Sequence, residues 1–390
     1  MTLSRNPFGA ITDVAGIRVG NYQRIGQGWL TGTTVLLPCD TSIAAIDVRG
    51  GGPATHETDA LSPNTLVPTA DALTLTGGSA YGLAAVGGVA AYCESAGKGY
   101  PALQDGDPSH VVPITPAAAI FDLNRGGDFS ARPDAEFGRR AAEDAASHDS
   151  AFAGQTSTLR ALPSGTVGAG TGAFAARGTL KGGLGTASVS TPDGRYTVGA
   201  LVAANPAGAV TDAQGRLYSA GFDPRVGVPT EAEQKAWRQR FPIDLSVPHG
   251  GADIGEGSGA LPRAAGGPKL PASNTTIAIV ATNARLGAAQ TQRFASSAHA
   301  GLARAIRPSH TLVDGDAVFG IAAGHELLPD GDQDRLFTVM QLCAMAADAL
   351  MLAITDAILA ATVPEGVVGS DGRPLAAYRD VCPSVLEQLA

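Results

Sequence analysis

The fold is decided by the stretch Asn274-Thr275-Thr276-Ile277-Ala278-Ile279-Val280-Ala281-Thr282. It is rich in β-branched residues, which favour strands, and it follows a Pro- and Gly-rich segment over 246–273. The sequence therefore predicts a core strand over residues 275–281 that starts directly after an exposed linker. A threonine at such a start is either a residue suited to strands or a nucleophile, and the local pattern leaves both interpretations open.

Cleavage of the Asn274–Thr275 bond would give Thr275 a free α-amine. Because a terminal amine has a pKa of about 7.7–8.0, it can take the proton of the neighbouring hydroxyl at neutral pH. One residue would then supply both the nucleophile and the base. A linker before it would let the scissile bond bend and the new carboxyl end move away.

The composition argues against a nucleic-acid-binding or membrane protein and leaves small metabolites open as partners. Of the 390 residues 44% are hydrophobic and 16% charged, whereas soluble domains average about 25% charged, so we expect subunit contacts and a homo-oligomer. The formal net charge is −9 and no Lys/Arg-rich run occurs, which argues against nucleic acid or an anionic membrane as partner. We expect a small-molecule substrate.

The cysteines and the first residues indicate a reducing compartment. Cys39, Cys93, Cys343 and Cys382 are scattered, without the spacing of a zinc site or a disulfide framework. The first eight residues include no apolar stretch of the signal-peptide type, so a cytoplasmic location is expected.

A long apolar region over 336–363 approaches the length of a membrane span. It contains Asp348 and Asp356, each of which costs about 2.5–3.5 kcal/mol at the centre of an inserted helix. We predict instead a helix over 334–361 buried between protein layers, with the two aspartates on its wetter side.

The remaining elements are strands and helices without βαβ regularity. Helices are predicted over 79–97, 134–148 and 288–305, and a short one after the capping box that starts at Thr230. A strand is predicted over 317–322, and we expect Thr275 at an edge of the sheet. This mixture favours an α+β fold, with a layered α-β-β-α sandwich as its arrangement.

Several polar residues are candidates for chemistry, each with a structural alternative. Gly168-x-Gly170-x-x-Ala173 formally fits a dinucleotide fingerprint, but a Gly-rich run follows it instead of a helix, so a tight backbone crossing or a substrate-lining loop is favoured. His56 is the best histidine for acid–base work, or a loop residue. Asn205, at a predicted strand end before a proline, is a turn residue or an oxyanion donor. Asp314-Gly315-Asp316 is a hairpin turn, or a pair of carboxylates that hold the Thr275 ammonium or hydroxyl.

Several motifs in a fixed order resemble the DmpA-type aminopeptidase and β-aminopeptidase family over nearly the whole chain. They are Arg49-Gly50-Gly51-Gly52 with Glu57-Thr58-Asp59, Leu75-Thr76-Gly77-Gly78-Ser79-Ala80-Tyr81-Gly82, Gly168-Ala169-Gly170-Thr171-Gly172, the Asn205 segment, Asn274-Thr275-Thr276-Ile277, and Asp314-Gly315-Asp316-Ala317-Val318-Phe319. The resemblance implies an N-terminal-nucleophile-like α-β-β-α sandwich that is one catalytic domain over 1–390. It also implies self-cleavage into a large chain, 1–274, and a small chain, 275–390, that stay together in a homo-oligomer without metal or cofactor.

By this resemblance Thr275 matches the nucleophile, Asn205 the oxyanion-hole amide and Asp316 the acidic residue that orients the centre. Asp314 stands where the peptidases have a serine. Two departures concern the substrate: the usual nucleophile is serine, and the family tyrosine is not recognisable over 116–119. The Asn-Thr cut site is similar to that of the pantetheine-cleaving member of carbapenem biosynthesis.

Three functions follow from these observations. The first is an autoproteolytic amide hydrolase that cleaves a pantetheine amide or an N-terminal aminoacyl amide. The second is acyl transfer by a self-cleaved threonine, similar to that of ornithine acetyltransferases. The third is a non-catalytic metabolite-binding protein that uses the Gly168–Gly172 loop.

Overall fold

Short strands alternate with helices along the chain, of which the computed structural model describes residues 6–40, 42–103, 105–107, 109–148, 162–241 and 274–389. The predicted linker over 246–273 lies outside the described residues. The strands are β1 (Arg18–Gly26), β2 (Trp29–Leu37), β3 (Ile43–Val48), β4 (Thr55–His56), β5 (Leu73–Thr76), β6 (Tyr100–Pro101), β7 (Val111–Val112), β8 (Ala117–Ala119), β9 (Phe174–Ala175), β10 (Leu180–Lys181), β11 (Gly183–Ser190), β12 (Thr197–Asn205), β13 (Thr275–Ala284) and β14 (Ala317–Glu326). The α-helices are α1 (Ser79–Gly82), α2 (Ala85–Ser95), α3 (Ala135–Ser147), α4 (Glu231–Arg240), α5 (Ala288–Ala305), α6 (Asp332–Ala360), α7 (Tyr378–Val381) and α8 (Ser384–Glu387).

Ten of the strands form two five-stranded sheets. The first has the order β1-β2-β5-β8-β4 and the second the order β11-β12-β13-β14-β3. In the second sheet β13 pairs antiparallel with β12 and parallel with β14. The strand that Thr275 opens is therefore the central strand of its sheet, and the expectation of an edge position is wrong. Its apolar run is buried on both faces, as suits a central strand.

Alternate residues of β13 face two different cores. Ile277 and Ile279 contribute to the core between the two sheets, together with residues of the first sheet such as Leu75. Ala278 and Val280 face the core under α5 and α6, which cover the outer side of the second sheet. Helices α2 and α3 cover the outer side of the first sheet in the same way. The α-β-β-α order of layers predicted from the sequence is confirmed.

The helix predicted over 79–97 is two helices, α1 and α2. Leu83 and Ala84 between them have ψ values of −13° and −22°, which belong to a tighter 3₁₀ turn and not to a continuous α-helix. Helix α5 has the predicted bounds. Helix α4 begins with the predicted capping box, in which Thr230 Oγ1 accepts the Glu233 N–H at 3.3 Å while the Glu233 carboxylate accepts the Thr230 N–H at 2.7 Å.

The long apolar helix α6 is a core helix. By length and composition it could cross a membrane, but 78% of its most apolar window is buried inside the protein. Asp348 lies on its partly exposed side and accepts a hydrogen bond from Arg304 at 2.5 Å. Asp356 does not lie on a wet side, because its carboxylate is 3% exposed and accepts the Thr186 N–H at 3.0 Å from a neighbouring strand.

Candidate active site

The topology of the second sheet brings the predicted site residues to the amino-terminal end of its central strand. Strand β12 runs antiparallel to β13, so its last residue, Asn205, pairs with the first residue of β13, Thr275. Strand β14 runs parallel to β13, so the turn that precedes it arrives at the same end, and Asp314 forms a β-bridge with Asn274. Three segments that are distant in sequence therefore meet at the amino-terminal end of the central strand.

The hydroxyl of Thr275 lies against the peptide bond that self-cleavage would cut. In the intact chain Thr275 Oγ1 donates a hydrogen bond to the carbonyl oxygen of Asn274 at 2.5 Å, and the Thr275 residue is only 4% exposed. Gly315 lies beside this hydroxyl: a Cβ at that position would stand 2.9 Å from Oγ1. The glycine between the two aspartates therefore leaves the space that the hydroxyl occupies.

Asn205 is held by hydrogen bonds to both the oxygen and the nitrogen of its side-chain amide. Its Oδ1 accepts hydrogen bonds from the Phe174 N–H at 2.9 Å and from Arg125 Nη1 at 2.5 Å. Since two donors fix the oxygen, the NH₂ group must point to the other side, where it donates to the Phe121 carbonyl at 3.3 Å. One of the two N–H groups of this amide is therefore paired with Phe121, and the second is the one that an oxyanion could bind.

Asp316 anchors the backbone next to the threonine. Its Oδ1 accepts the Thr276 N–H at 2.8 Å, and its Oδ2 accepts the His310 N–H at 3.0 Å and contacts His310 Nδ1 at 2.9 Å. The carboxylate is 1% exposed. His310 has a φ of 55°, a left-handed conformation that is uncommon for non-glycine residues but that histidine adopts more often than most. Asp316 thus holds the start of β13 and a left-handed loop residue at once.

Asp314 fastens the loop that follows Asn205. Its Oδ1 accepts the Ala207 N–H at 3.1 Å, and its Oδ2 accepts the Thr311 hydroxyl at 2.5 Å. Burial raises the pKa of Asp314, and the nearby charge of Asp316 raises it further. Its hydrogen bonds go to the two loops beside Thr275, so its place in the structure is that of a positioning residue.

Two cations that the sequence reasoning did not single out, the partly buried Arg125 and the fully buried Lys181, lie beside this site. Arg125 follows β8 of the first sheet and reaches both Asn205 and Asn274. Burial lowers the pKa of Arg125 to about 10, although Asp122 opposes the shift. Lys181 is fully buried and donates to the carbonyl oxygens of Gly170 at 3.1 Å, Ala173 at 2.9 Å and Gly182 at 2.8 Å. Burial, reinforced by the charge of Arg125, lowers the pKa of Lys181 well below its usual range.

Asp122 is a third buried ionisable group that the sequence reasoning did not single out. Its Oδ1 accepts the Gly78 N–H at 2.6 Å, and burial raises its pKa. Gly77 and Gly172 approach its Oδ2 so closely that a Cβ on either would stand 2.2 or 2.4 Å away. The glycines of two family motifs therefore make room for this carboxyl group.

The two remaining candidates have structural places. His56 is exposed on β4, an edge strand of the first sheet, and the histidine that contacts a predicted site carboxylate is His310. The loop over Gly168–Gly170 is a 3₁₀ turn followed by β9 and not by a helix. A Cβ on Gly170 would stand 1.8 Å from the Leu184 nitrogen, so the loop is a tight backbone crossing.

Comparison with known proteins identifies relatives over nearly the whole chain. A family model described as peptidase family S58 matches residues 9–372. An uncharacterized aminopeptidase of Mycobacterium leprae is 40% identical over 381 residues, which are 94% of this chain and 94% of that protein. A 6-aminohexanoate-oligomer endohydrolase of a Kocuria species is 27% identical over 329 residues, with 81% of this chain and 76% of that protein covered.

Solved structures share the fold. The β-aminopeptidase of a Burkholderia species superposes with a TM-score of 0.62 at 23% identity, over 99% of this chain and 96% of that one. The L-aminopeptidase D-Ala-esterase/amidase of Ochrobactrum anthropi, described as a variant of the Ntn hydrolase fold, also gives 0.62, at 18% identity over 100% and 96%. The family resemblance and the N-terminal-nucleophile fold predicted from the motifs are confirmed. With this fold and with relatives that are aminopeptidases and amide hydrolases, the chain is a hydrolase of the Ntn type and belongs to peptidase family S58.

Proposed function

We propose that this protein is an autoproteolytic amide hydrolase in which Thr275 becomes the nucleophile after the Asn274–Thr275 bond is cut. The observation that carries the proposal is the position of the Thr275 hydroxyl, 2.5 Å from the Asn274 carbonyl oxygen and opposite Asn205. A threonine chosen only for its strand propensity would need neither the adjacent Gly315 nor a donor amide fixed by two hydrogen bonds.

Self-cleavage begins with attack of Thr275 Oγ1 on the Asn274 carbonyl carbon. A C–O bond forms, the C–N bond to Thr275 breaks, and the hydroxyl proton passes to the departing amine. Water then hydrolyses the ester, which leaves a large chain 1–274 ending in a carboxylate and a small chain 275–390 starting with Thr275. The Asn205 amide donates to the oxyanion that forms on the way.

Turnover of substrate uses the same atoms with one addition. The free α-amine of Thr275, with a pKa of about 7.7–8.0 in an unperturbed chain, takes the hydroxyl proton during attack and passes it to the leaving amine. Asp316 keeps the start of β13 in place through the Thr276 N–H while these bonds form and break. Water releases the acyl group in a second step.

The proposed substrate is a small linear amide. Relatives named aminopeptidase and 6-aminohexanoate-oligomer endohydrolase support this class, and the name aminopeptidase favours an N-terminal aminoacyl amide. The Asn-Thr cut site supports a pantetheine amide as a second substrate. An assay panel of aminoacyl anilides, a pantetheine amide, and acetylornithine with glutamate separates hydrolysis from acyl transfer.

Intact-mass spectrometry and amino-terminal sequencing of the purified protein test the proposal. We expect two fragments that divide between Asn274 and Thr275, and an acyl adduct on Thr275 when a slow substrate is trapped. Thr275→Ala should give an uncut, inactive chain, whereas Thr275→Ser, which keeps a hydroxyl, should still mature. A full-length wild-type chain that stays uncut for days and is active would refute the proposal. An uncut wild-type chain that only binds metabolites, indistinguishable from Thr275→Ala, would support a binding protein instead.

We further propose that the cleaved protomers associate into a cytoplasmic homo-oligomer. Leu336, Phe337 and Met340 are each more than half exposed on the first part of α6, which is an apolar surface of the kind that subunit contacts cover. The four cysteines are scattered along the sequence without the spacing of a disulfide framework, which supports a reducing compartment. Light scattering of wild type and Phe337→Glu tests the association, and a wild-type monomer would refute it.

A further inference from the structure

We propose that Arg125 forms an acyl-side subsite that Asn274 occupies before self-cleavage and that afterwards binds a hydrogen-bond acceptor on the substrate. The favoured substrates are then amides whose acyl group bears a carbonyl-type oxygen on its side chain, as in asparaginyl and aspartyl amides. The inference rests on the proposed function, because it takes the chain's own Asn274 as the acyl group of the first reaction.

The guanidinium group of Arg125 is shared between a permanent and a temporary partner. Its Nη1 donates to Asn205 Oδ1 and to the Gly172 carbonyl, both at 2.5 Å, and these acceptors remain in the mature enzyme. Its Nη2 donates to Asn274 Oδ1 at 3.1 Å. The Phe174 ring lies under the guanidinium plane, with Arg125 Cζ 4.4 Å from its centroid, which further fixes the direction of the two nitrogens.

The temporary partner is the residue on the acyl side of the bond to be cut. In the precursor Asn274 supplies the carbonyl that Thr275 attacks, so its side chain marks where the side chain of an acyl group lies in this site. Cleavage breaks the bond that tethers Asn274 to Thr275 and β13. When Asn274 then withdraws, Arg125 Nη2 faces the place of the acyl side chain without its acceptor, which favours a substrate that brings one.

Of the two polar atoms of the Asn274 side chain, only the amide oxygen has a hydrogen-bond partner among the described residues. Its Oδ1 is bound by Arg125, whereas its Nδ2 is buried with no hydrogen-bond partner in the described part of the chain. The subsite therefore recognises an oxygen and makes no use of an amide NH₂ group. Leucine is close to asparagine in shape and lacks the oxygen, so it provides the matched comparison.

The test compares asparaginyl and leucyl p-nitroanilides with mature wild-type enzyme and with Arg125→Lys, which keeps a positive charge but loses the fork that joins Asn205 to the acyl side. We expect wild type to prefer the asparaginyl substrate in kcat/KM by about tenfold or more, because a buried donor left unpaired disfavours the apolar isostere. In Arg125→Lys the preference should fall to near unity. Because Arg125 also orients Asn205, kcat should fall for both substrates alike, and the ratio is the readout that positioning alone does not change.

A second series uses the precursor as its own substrate and does not depend on maturation of an Arg125 variant. Asn274→Asp, which keeps the oxygen, should self-cleave at close to the wild-type rate, while Asn274→Leu should be slower by about tenfold or more. Intact mass over time measures both rates. Equal rates for the Leu and Asp variants, or a wild-type preference for the leucyl anilide that Arg125→Lys keeps, would overturn the subsite.

The failure of this inference differs from the failure of the proposed function. A wild-type chain that neither cuts itself nor hydrolyses any amide of the panel refutes the function. A mature wild-type enzyme that hydrolyses leucyl and asparaginyl anilides equally refutes only the subsite, and shows that Asn274 stays beside Arg125 or that substrates do not reach it.

Discussion

Replacing Asn205 by Asp separates two tasks that one side chain performs. The carboxylate oxygen that replaces Oδ1 can still accept from the Phe174 N–H and from Arg125, whose positive charge strengthens the bond. The oxygen that replaces Nδ2 cannot donate to an oxyanion and adds negative charge beside it. Loss of one such donor costs about 2.7–4 kcal/mol of transition-state stabilisation, a factor of about 10²–10³ in rate, and repulsion adds to it.

We therefore expect Asn205→Asp to slow both self-cleavage and substrate turnover by at least about a hundredfold while the fold is kept. The rate of appearance of the 275–390 fragment by intact mass and kcat of the matured fraction measure the two effects. Urea unfolding of the uncut chains, with Asn205→Leu as the control that loses both the anchor and the donor, measures stability. An Asn205→Asp enzyme that matures and turns over within tenfold of wild type would show that this amide does not bind the oxyanion.

Two further predictions concern buried ionisable groups outside the reacting atoms. Burial raises the pKa of Asp356 to about 6, so the native state binds the proton of this carboxyl group more tightly than the unfolded chain does. The protonated carboxyl group therefore stabilises the native state at low pH, and this stabilisation is lost as the pH rises from about 4 to 6. The loss corresponds to about 3 kcal/mol of unfolding free energy. Urea unfolding should show Asp356→Asn gaining about that much relative to wild type between pH 4 and 7, and a difference that does not change with pH would refute the reasoning. The pKa of Lys181 is lowered by burial, so the unfolded chain binds more protons, and its contribution to stability grows as the pH rises toward the ordinary lysine value of about 10.4. Lys181→Met, which leaves three carbonyl oxygens without their donor, should therefore be more destabilised relative to wild type at pH 10 than at pH 7, and a constant deficit would contradict this.

Local sequence patterns predicted where helices and strands lie, but not that one predicted helix is split into two. Helix α5 follows from its amphipathic pattern, the start of β13 from its run of β-branched residues, and α4 from its capping box. The split between α1 and α2 has no comparable signal, because the residues at Leu83 and Ala84 are good helix formers and the break is a matter of two ψ angles. The partners of Asp356 could not be predicted either, since the N–H that it accepts belongs to a strand 170 residues away.

The site residues at the strand ends of the second sheet could be predicted from the sequence, whereas Arg125 and Lys181 could not. Thr275, Asn205 and Asp316 lie at strand ends, where pattern and motif both mark them. Arg125 lies in a turn after a three-residue strand, and Lys181 in a Gly-rich run that resembles any loop. Their importance depends on burial, which a single sequence does not show for isolated charged residues. A low count of charged residues in a glycine-rich segment is the one signal that could have selected Lys181.

This difference follows from how the two sheets share the site. The second sheet supplies the proposed nucleophile Thr275, the Asn205 amide and the Asp316 carboxylate that anchors β13, and strand pairing alone places these three together. The first sheet supplies Arg125, which reaches Asn205 and Asn274 only because the two sheets pack face to face through the core that includes Ile277 and Leu75. A change in that packing would leave the threonine and its neighbours in register but would withdraw the guanidinium group that orients the amide. Strand pairing within the second sheet thus places the proposed reacting groups. The packing distance between the two sheets determines whether Arg125 reaches the acyl side of the site.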